Sequence, residues 1–174
     1  IENLRPYQKE DLEKLKSKPA MGCFNEQRTG KTPTALVTLN SEGNKKILVV
    51  TVASAIYQWK EEFERWTGRP CVVVNGTKAT REKQIDSWTD GLVISYDSLK
   101  EIKPRIKDKE TMEETKGREG HITQILSKKP DALIVDEAHK IKNPKSAVAK
   151  SIFKLSVIER KLALTGTPAP NKPY

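Results

Sequence analysis

Short, continuous apolar runs separated by longer amphipathic segments constrain the fold of this chain more than any other feature. Six such runs occur, at 20–24, 47–52, 71–74, 92–95, 132–135 and 161–165. A strand with one face in water alternates apolar and polar residues, whereas a strand covered on both faces is apolar throughout. The pattern therefore predicts an α/β fold with a mainly parallel central sheet of six strands and helices on both faces.

The segments between these runs carry helical periodicity. The best-marked helix has an apolar face whose members recur at spacings of 3, 4 and 3: Ile56, Trp59, Phe63 and Trp66. Ser54 precedes this face and can cap the helix. Further helices are predicted near the start of the chain, at 80–88 and at 146–155. Because both tryptophans share the apolar face, their placement favours core packing over base stacking.

Length and charge bound the class of protein. The 174 residues fit a single domain spanning 1–174, and 32 Lys and Arg against 23 Asp and Glu give a net charge of +9, which favours polyanionic partners. No apolar run approaches the roughly 20 residues of a membrane-spanning helix. No secretory signal opens the chain, so we expect an intracellular protein, cytoplasmic or, in a eukaryote, nuclear. Segment 100–120 is dominated by charged residues and predicts a surface insertion.

A candidate phosphate-binding loop follows the first apolar run. Residues 25–32 read Asn-Glu-Gln-Arg-Thr-Gly-Lys-Thr, and the final Gly-Lys-Thr matches the end of a phosphate loop that opens a helix. In such a loop Lys31 reaches the terminal phosphates and the Thr32 hydroxyl ligates Mg²⁺, while backbone N–H groups surround the polyphosphate. The remaining nucleotide-binding candidates of the loop are Arg28, Thr29 and Gly30. Asn25 stands where the general motif has its first glycine, and Asn adopts left-handed backbone more readily than most residues.

Two carboxylates follow the run at 132–135. Asp136 and Glu137 need a cation or hydrogen bonds at the end of a buried strand, and Mg²⁺ is the cation that a phosphate loop implies. Asp136 would then hold the metal, and Glu137 would orient or deprotonate the attacking water. His139, two residues further on, could relay the nucleotide state to neighbouring elements.

A hydroxyl-rich loop follows the last run. It contains the small residues Thr165, Gly166 and Thr167, which allow backbone to approach a ligand closely. Ligands of open parallel sheets bind outside the carboxyl ends of the strands. We therefore expect the phosphate loop, the acidic pair and this loop to form one site.

Together these segments resemble the first RecA-like lobe of superfamily 2 helicases, and more narrowly the Swi/Snf-type ATP-dependent DNA translocases. The most discriminating stretch is 136–143, Asp-Glu-Ala-His-Lys-Ile-Lys-Asn, and 165–171 resembles motif III of the same branch. Residues 4–8, Leu-Arg-Pro-Tyr-Gln, look like the opening motif of the family, which implies that Gln8 reads adenine. Arg28 stands where the family usually has glycine. The resemblance implies a RecA-like three-layer sandwich with ATP and Mg²⁺ as cofactors.

The resemblance also implies where duplex DNA would lie. Residues 49–59 are similar to motif Ia, which gives Ser54 and Gln58 as DNA-binding candidates, and 94–99 look like a stretch near the DNA path, which adds Ser95 and Tyr96. In this superfamily ATP sits between two lobes, and the second lobe supplies transition-state arginines. The sequence contains one such lobe, so we expect a monomeric first lobe with weak nucleotide binding and negligible turnover by itself.

Two other interpretations stay open at this point. The chain could be a lobe of an RNA helicase or a restriction-type translocase, which share the broad class. It could also be a nucleic-acid-binding module with a degenerate nucleotide site, an interpretation motivated by Asn25 and Arg28. The intact Lys31 and Thr32, together with both carboxylates after 132–135, argue against degeneration.

Overall fold

The structure, a computed structural model, describes residues 5–16, 20–23, 31–100, 120–141 and 143–165. Within these residues the chain forms six strands: Ala20–Cys23 (β1), Ile47–Thr51 (β2), Cys71–Val74 (β3), Gly91–Ser95 (β4), Ala132–Val135 (β5) and Arg160–Leu164 (β6). The α-helices of the described part are Pro6–Lys16 (α1), Lys31–Ser41 (α2), Ile56–Thr67 (α3), Lys78–Asp86 (α4), Tyr96–Leu99 (α5), Ile122–Ser127 (α6) and Ala147–Lys154 (α7). Short 3-10 turns lie at Ala53–Ala55, Ala138–Ile141 and Leu155–Val157.

The six strands form one sheet in the order β1-β6-β5-β2-β4-β3, and every neighbouring pair is parallel. Strand β2 lies in the interior, with Ile47 opposite Gly91 of β4 on one side and Ala132 of β5 on the other. The parallel sheet predicted from continuous apolar runs is confirmed. Because all six strands point the same way, their carboxyl ends share one border, which we call the carboxyl edge.

Buried side chains pack on both faces of the sheet. Successive residues of a strand point to opposite faces, so Ile47 and Val49 enter one apolar cluster while Leu48 and Val50 enter another. Apolar residues of α2 and α3 complete the first cluster, and those of α4, α5 and α6 complete the second. Helices therefore cover both faces, as predicted. None of the helices in the described part has the length and apolarity needed to cross a membrane.

Helix α3 begins differently from the prediction. Ser54 lies inside the 3-10 turn at Ala53–Ala55, and the N-cap position belongs to Ala55, where no side chain caps the helix. The prediction that Ser54 caps the helix is therefore wrong, because a 3-10 turn occupies the position where the cap was expected. The other end follows ordinary helix termination: Gly68 takes a left-handed φ of 67° and its N–H donates to the Glu64 carbonyl.

The other predicted helices are present with shifted limits. Helix α4 starts at Lys78, two residues before the predicted limit, because the Thr77 hydroxyl accepts a hydrogen bond from the Thr80 N–H. Helix α7 starts after Ser146, which caps it in the same way. Helices α5 and α6 were not predicted. The charged insertion predicted at 100–120 lies outside the described residues apart from its two end positions.

Candidate functional site

Polar residues cluster where four neighbouring strands end. Thr165 follows β6, Asp136 follows β5, Thr51 closes β2 and Ser95 closes β4, and these strands are adjacent in the sheet. Lys31 is the first residue of α2, the helix that follows β1. The carboxyl edge thus gathers members of the motifs that follow strands, as the parallel topology requires.

Lys31 joins the start of α2 to the end of β6. Its Nζ donates a hydrogen bond of 3.0 Å to the carbonyl oxygen of Thr165. The side chain is half-buried, and the neighbouring Thr32 is half-buried as well. The phosphate-loop residues before the helix, including Asn25 and the candidates Arg28, Thr29 and Gly30, lie outside the described residues. The structure therefore locates Lys31 of the predicted loop at the carboxyl edge, with Thr32 next to it in α2.

Asp136 is held by hydrogen bonds from three different elements. Its Oδ2 accepts from the Thr51 hydroxyl at 2.8 Å and from the Trp59 indole N–H at 2.8 Å. Its backbone carbonyl accepts from the Tyr96 hydroxyl. A carboxylate at the end of a buried strand needs a cation or hydrogen bonds, and the described residues supply hydrogen bonds to one of its two oxygens.

Thr51 and Trp59 are contacts that sequence reasoning missed. Trp59 packs in the core, as its place on the apolar face predicts, and is 4% exposed. A buried indole nevertheless needs an acceptor for its N–H, and Thr51 is a hydroxyl residue at the end of an otherwise apolar run. Those two signals were present in the sequence. The acceptor that both residues share, Asp136, lies 77 and 85 positions away and could not be read from local pattern.

Glu137 and His139 form a second contact at this edge. The His139 Nδ1 lies 3.0 Å from Glu137 Oε2 and 3.4 Å from the Thr165 hydroxyl. Glu137 has a φ of 50°, a left-handed conformation that is uncommon outside glycine and stores strain at functional sites. His139 thus bridges the acidic pair and the end of β6, the position from which it could relay a change at either. Gly166 and Thr167, the other members of the hydroxyl loop, lie outside the described residues.

The four candidate DNA contacts divide into two exposed and two buried side chains. Ser54 and Gln58 are exposed at the 3-10 turn and the start of α3. Ser95 is 5% exposed, and its hydroxyl accepts from the Ser98 N–H at 3.2 Å. Tyr96 is 6% exposed. As the side chains stand, Ser54 and Gln58 are the two that a polyanion can reach.

Tyr96 contributes a neutral hydroxyl donor to the site. Burial raises the pKa of the Tyr96 phenol well above its usual value, and the nearby carboxylates of Asp136 and Glu137 raise it further. The hydroxyl therefore stays protonated at any working pH and keeps donating to the Asp136 carbonyl. Tyr96 acts inside the chain and ties the start of α5 to the acidic pair.

Gln8 lies apart from these contacts, at the start of the chain. Its side chain is 6% exposed, and its Oε1 accepts a 2.8 Å hydrogen bond from the Arg5 N–H at the first turn of α1. Helix α1 packs against α2, the helix that Lys31 opens. The proposed adenine-reading role of Gln8 stays a prediction.

The oxygen donors at the carboxyl edge suit Mg²⁺. Magnesium takes one or two carboxylates, keeps several waters and completes its shell with substrate phosphates. Asp136 Oδ1 accepts no hydrogen bond from the residues described, whereas Oδ2 accepts two. The described residues contain no group of three or more His, Cys, Asp or Glu side chains that could enclose a metal alone. The donors therefore fit a metal shared with a bound phosphate.

Comparison with known proteins finds one matching family and several similar proteins. The sequence model described as "SNF2-related domain" matches residues 7–174. "Transcriptional regulator ATRX homolog" of Drosophila melanogaster is 26% identical in an alignment of 182 positions that covers 93% of this chain and 14% of that protein. Human "DNA repair and recombination protein RAD54B" is 27% identical in an alignment of 193 positions that covers 98% of this chain and 19% of that protein. The chain therefore spans less than a fifth of either relative.

A solved structure agrees with the fold. The protein described as "Sulfolobus solfataricus SWI2/SNF2 ATPase core in complex with dsDNA" superposes with a TM-score of 0.67 at 23% identity, and the match covers 98% of this chain and 33% of that one. The likeness confirms the predicted RecA-like α/β fold.

Proposed function

The chain belongs to the SNF2-related domain family, and on that premise we propose that it is the first ATPase lobe of a Swi/Snf-type DNA-dependent ATPase or translocase. It binds Mg-ATP and forms part of the duplex DNA path. Hydrolysis depends on a second RecA-like lobe, whose arginines contribute about 10³ to 10⁵ in rate in comparable phosphoryl-transfer enzymes.

The observation that carries this proposal is a continuous line of contacts at the carboxyl edge. Lys31 Nζ lies 3.0 Å from the Thr165 carbonyl oxygen, and the Thr165 hydroxyl lies 3.4 Å from His139 Nδ1. The same nitrogen lies 3.0 Å from Glu137 Oε2. An ammonium suited to phosphate and a carboxylate suited to water activation thus lie at one edge and are joined through two residues, and phosphoryl transfer depends on holding such groups in position around the phosphates.

Each residue of the site has a defined task in this proposal. Lys31 exchanges its carbonyl acceptor for a phosphate oxygen, because a charge-assisted bond to an anion is the stronger one. Asp136 and Thr32 would hold Mg²⁺, which neutralises charge on the phosphates when bound. Glu137 accepts a proton from the attacking water at its carboxylate, and His139 keeps that carboxylate oriented.

The DNA side of the proposal rests on charge and exposure. The net charge of +9 favours a polyanion, and Ser54 and Gln58 present exposed polar groups directly after the carboxyl end of β2. Phosphate contacts from Lys and Arg supply affinity that does not depend on sequence and falls steeply with salt, whereas neutral contacts such as those of Ser54 and Gln58 would position the backbone. On the family membership, and not on charge, we expect the chain to bind duplex DNA more tightly than duplex RNA; the reverse order would favour an RNA helicase lobe.

Titration with a fluorescent ATP analogue, with and without Mg²⁺, tests the nucleotide part of the proposal. We expect saturable, Mg²⁺-dependent binding by the unmodified chain and its loss in Lys31→Ala. Lys150→Ala is the matched control, because it removes the same charge from an exposed position on α7 and should bind as the unmodified chain does.

Two results would overturn parts of the proposal. A folded chain that binds duplex DNA equally well with and without ATP, and equally well as Lys31→Ala, would establish the alternative, a nucleic-acid-binding module with a degenerate nucleotide site. Robust DNA-stimulated ATP hydrolysis by these 174 residues alone would contradict the requirement for a second lobe.

A further inference from the structure

The Trp59 indole connects helix α3 to the acidic pair. Trp59 lies four residues into α3, its ring is buried in the apolar cluster between that helix and the sheet, and its N–H donates to Asp136 Oδ2 at 2.8 Å. The ring cannot turn away without leaving the core. Its N–H is therefore a fixed donor.

Trp59 and Thr51 both donate hydrogen bonds to the same oxygen of Asp136. Both bonds are 2.8 Å long and both end on Oδ2. Rotation of the carboxylate would break both bonds at once, and the other oxygen, Oδ1, accepts no hydrogen bond from the part of the chain that the structure describes. Groups that hydrogen-bond to a metal ligand in this way fix its orientation and raise its affinity for the metal.

The other two tryptophans provide a comparison within the same molecule. The Trp66 indole donates to Glu62 Oε2 at 2.8 Å within α3, and the Trp88 indole donates to the Asp90 carbonyl at 3.0 Å. All three indoles thus have an acceptor, as buried indoles require. Trp59 is the one of the three that reaches the acidic pair.

We propose that Trp59 is a positioning residue for Asp136, holding the carboxylate so that Oδ1 faces the metal and tying that orientation to the helix whose exposed start carries Ser54 and Gln58. The inference rests on the proposed function, because it assumes a metal at Asp136. It adds a residue that acts through Asp136 and links the predicted DNA-facing helix to the metal ligand.

The first test compares Trp59→Phe with Trp66→Phe. Both variants keep an aromatic ring on α3 and remove one indole N–H that donates to a carboxylate, so they differ in which carboxylate loses its donor. In Trp59→Phe the Mg²⁺ concentration for half-maximal binding of the fluorescent ATP analogue should rise about tenfold, the low end of what loss of such a partner causes. In Trp66→Phe it should stay within about twofold of the unmodified chain, and binding without Mg²⁺ should be unchanged in both variants.

A second pair of variants tests the other hydrogen bond to Asp136 Oδ2, which comes from Thr51 at the end of β2. Thr51→Val removes the hydroxyl with little change of shape, whereas Thr51→Ser keeps it. We expect Thr51→Val to raise the Mg²⁺ concentration for half-maximal binding of the ATP analogue. Thr51→Ser should leave that concentration as it is in the unmodified chain. This pair keeps the inference testable if Trp59→Phe fails to fold.

A third measurement needs no substitution near the metal. The three indole N–H groups give three resonances in a ¹H–¹⁵N spectrum of the unmodified chain. Addition of Mn²⁺ with ATP should broaden the Trp59 resonance first, because its donor is one hydrogen bond away from the proposed metal ligand.

The outcomes separate the two proposals. If the unmodified chain binds the analogue in a Mg²⁺-dependent way but Trp59→Phe and Thr51→Val match it, the positioning role is refuted and the proposed function stands. If the unmodified chain shows no Mg²⁺-dependent binding and Mn²⁺ broadens no indole resonance, both proposals fall. A selective Mg²⁺ defect in Trp59→Phe together with selective broadening of its resonance establishes the inference.

Discussion

Among the four glycines whose surroundings the structure describes, Gly91 is the one where an added methyl group meets the least space. It opens β4 and is paired with Cys71 of β3 and Ile47 of β2. A Cβ at this position would lie 2.7 and 2.8 Å from two ring carbons of Phe63 and 2.9 Å from the Cys71 sulfur. Its φ lies outside the left-handed range, so the backbone would accept alanine. The penalty of Gly91→Ala is therefore steric.

The size of the penalty follows from the distances. Carbon atoms in contact are most stable at about 3.5 to 4.0 Å, so the Phe63 ring would have to move by roughly 1 Å. Phe63 is fully buried between α3 and the sheet and has no open space to move into. Overpacking of this kind costs about 1 to 3 kcal/mol. With three atoms inside 3.0 Å we expect the upper end, about 3 kcal/mol, out of a total free energy of unfolding of about 5 to 15 kcal/mol.

Urea denaturation followed by circular dichroism measures this free energy directly. Gly68→Ala is the contrasting control: Gly68 has a φ of 67° and nothing within 4 Å of an added Cβ, so it should cost about 1 to 2 kcal/mol through the left-handed backbone alone. Combining Gly91→Ala with Phe63→Leu should cost less than the sum of the two single changes, because the smaller side chain makes room for the methyl group.

Alkylation of Cys71 provides a second readout of the same packing. Burial raises the pKa of the Cys71 thiol to about 12, with the Glu64 carboxylate adding to the effect, so the thiol is unreactive in the native chain. Gly91→Ala should speed its labelling, as followed by peptide mapping. If the free energy of unfolding of Gly91→Ala lies within about 0.5 kcal/mol of that of the unmodified chain, the steric argument is refuted. The side chains around Gly91 would then be able to move and accommodate the methyl group.

Two further predictions concern charged groups away from the site. Burial lowers the pKa of His121 below its ordinary 6.5, and the positive charge of Arg81 lowers it further. The unfolded chain therefore binds a proton at His121 more readily than the folded chain does. The free energy of unfolding should fall as the pH drops below about 6.5. His121→Gln should flatten that slope in urea titrations between about pH 7.5 and 5.5, and an unchanged slope would assign it to other groups. The Arg69 guanidinium donates to Asp90 Oδ1 at 2.8 Å and to the Asn44 carbonyl at 2.9 Å, so Arg69→Lys, which keeps the charge but loses the fork of donors, should destabilise the chain by about 2 kcal/mol. Equal stability of Arg69→Lys and the unmodified chain would show that charge alone matters there.

Elements with a strong local signal were predictable. Each of the six strands matches an apolar run to within one or two residues, and α3 follows the spacing of its buried face, because burial on both sides of a strand or on one side of a helix leaves a period in the sequence. Helix α5 has four residues, Tyr96–Leu99, and is too short to show such a period. The cap predicted at Ser54 failed for a related reason, since a hydroxyl before an apolar face is compatible with both a helix start and a 3-10 turn.

The meeting of the predicted residues at one edge of the sheet could be read from the sequence, whereas their contacts could not. The residue types at the strand ends indicated phosphate, metal and water, and the parallel sheet required them to meet at one edge. The sequence could not predict which side chains form hydrogen bonds with each other. Trp59 donates to an acceptor 77 positions away, and Lys31 donates to one 134 positions away. Periodicity and capping rules relate residues within a few positions of each other and carry no information at that range.

By itself the sequence therefore determined the strands, the principal helices and the kinds of atoms offered at the ends of the strands. The tertiary structure alone decided the strand order β1-β6-β5-β2-β4-β3, the grip of Trp59 and Thr51 on Asp136 and the bridge from Glu137 through His139 to Thr165. The physical reason is that local structure follows from side-chain burial along a segment. Pairing between distant segments instead depends on how all the faces pack together, which no single segment specifies.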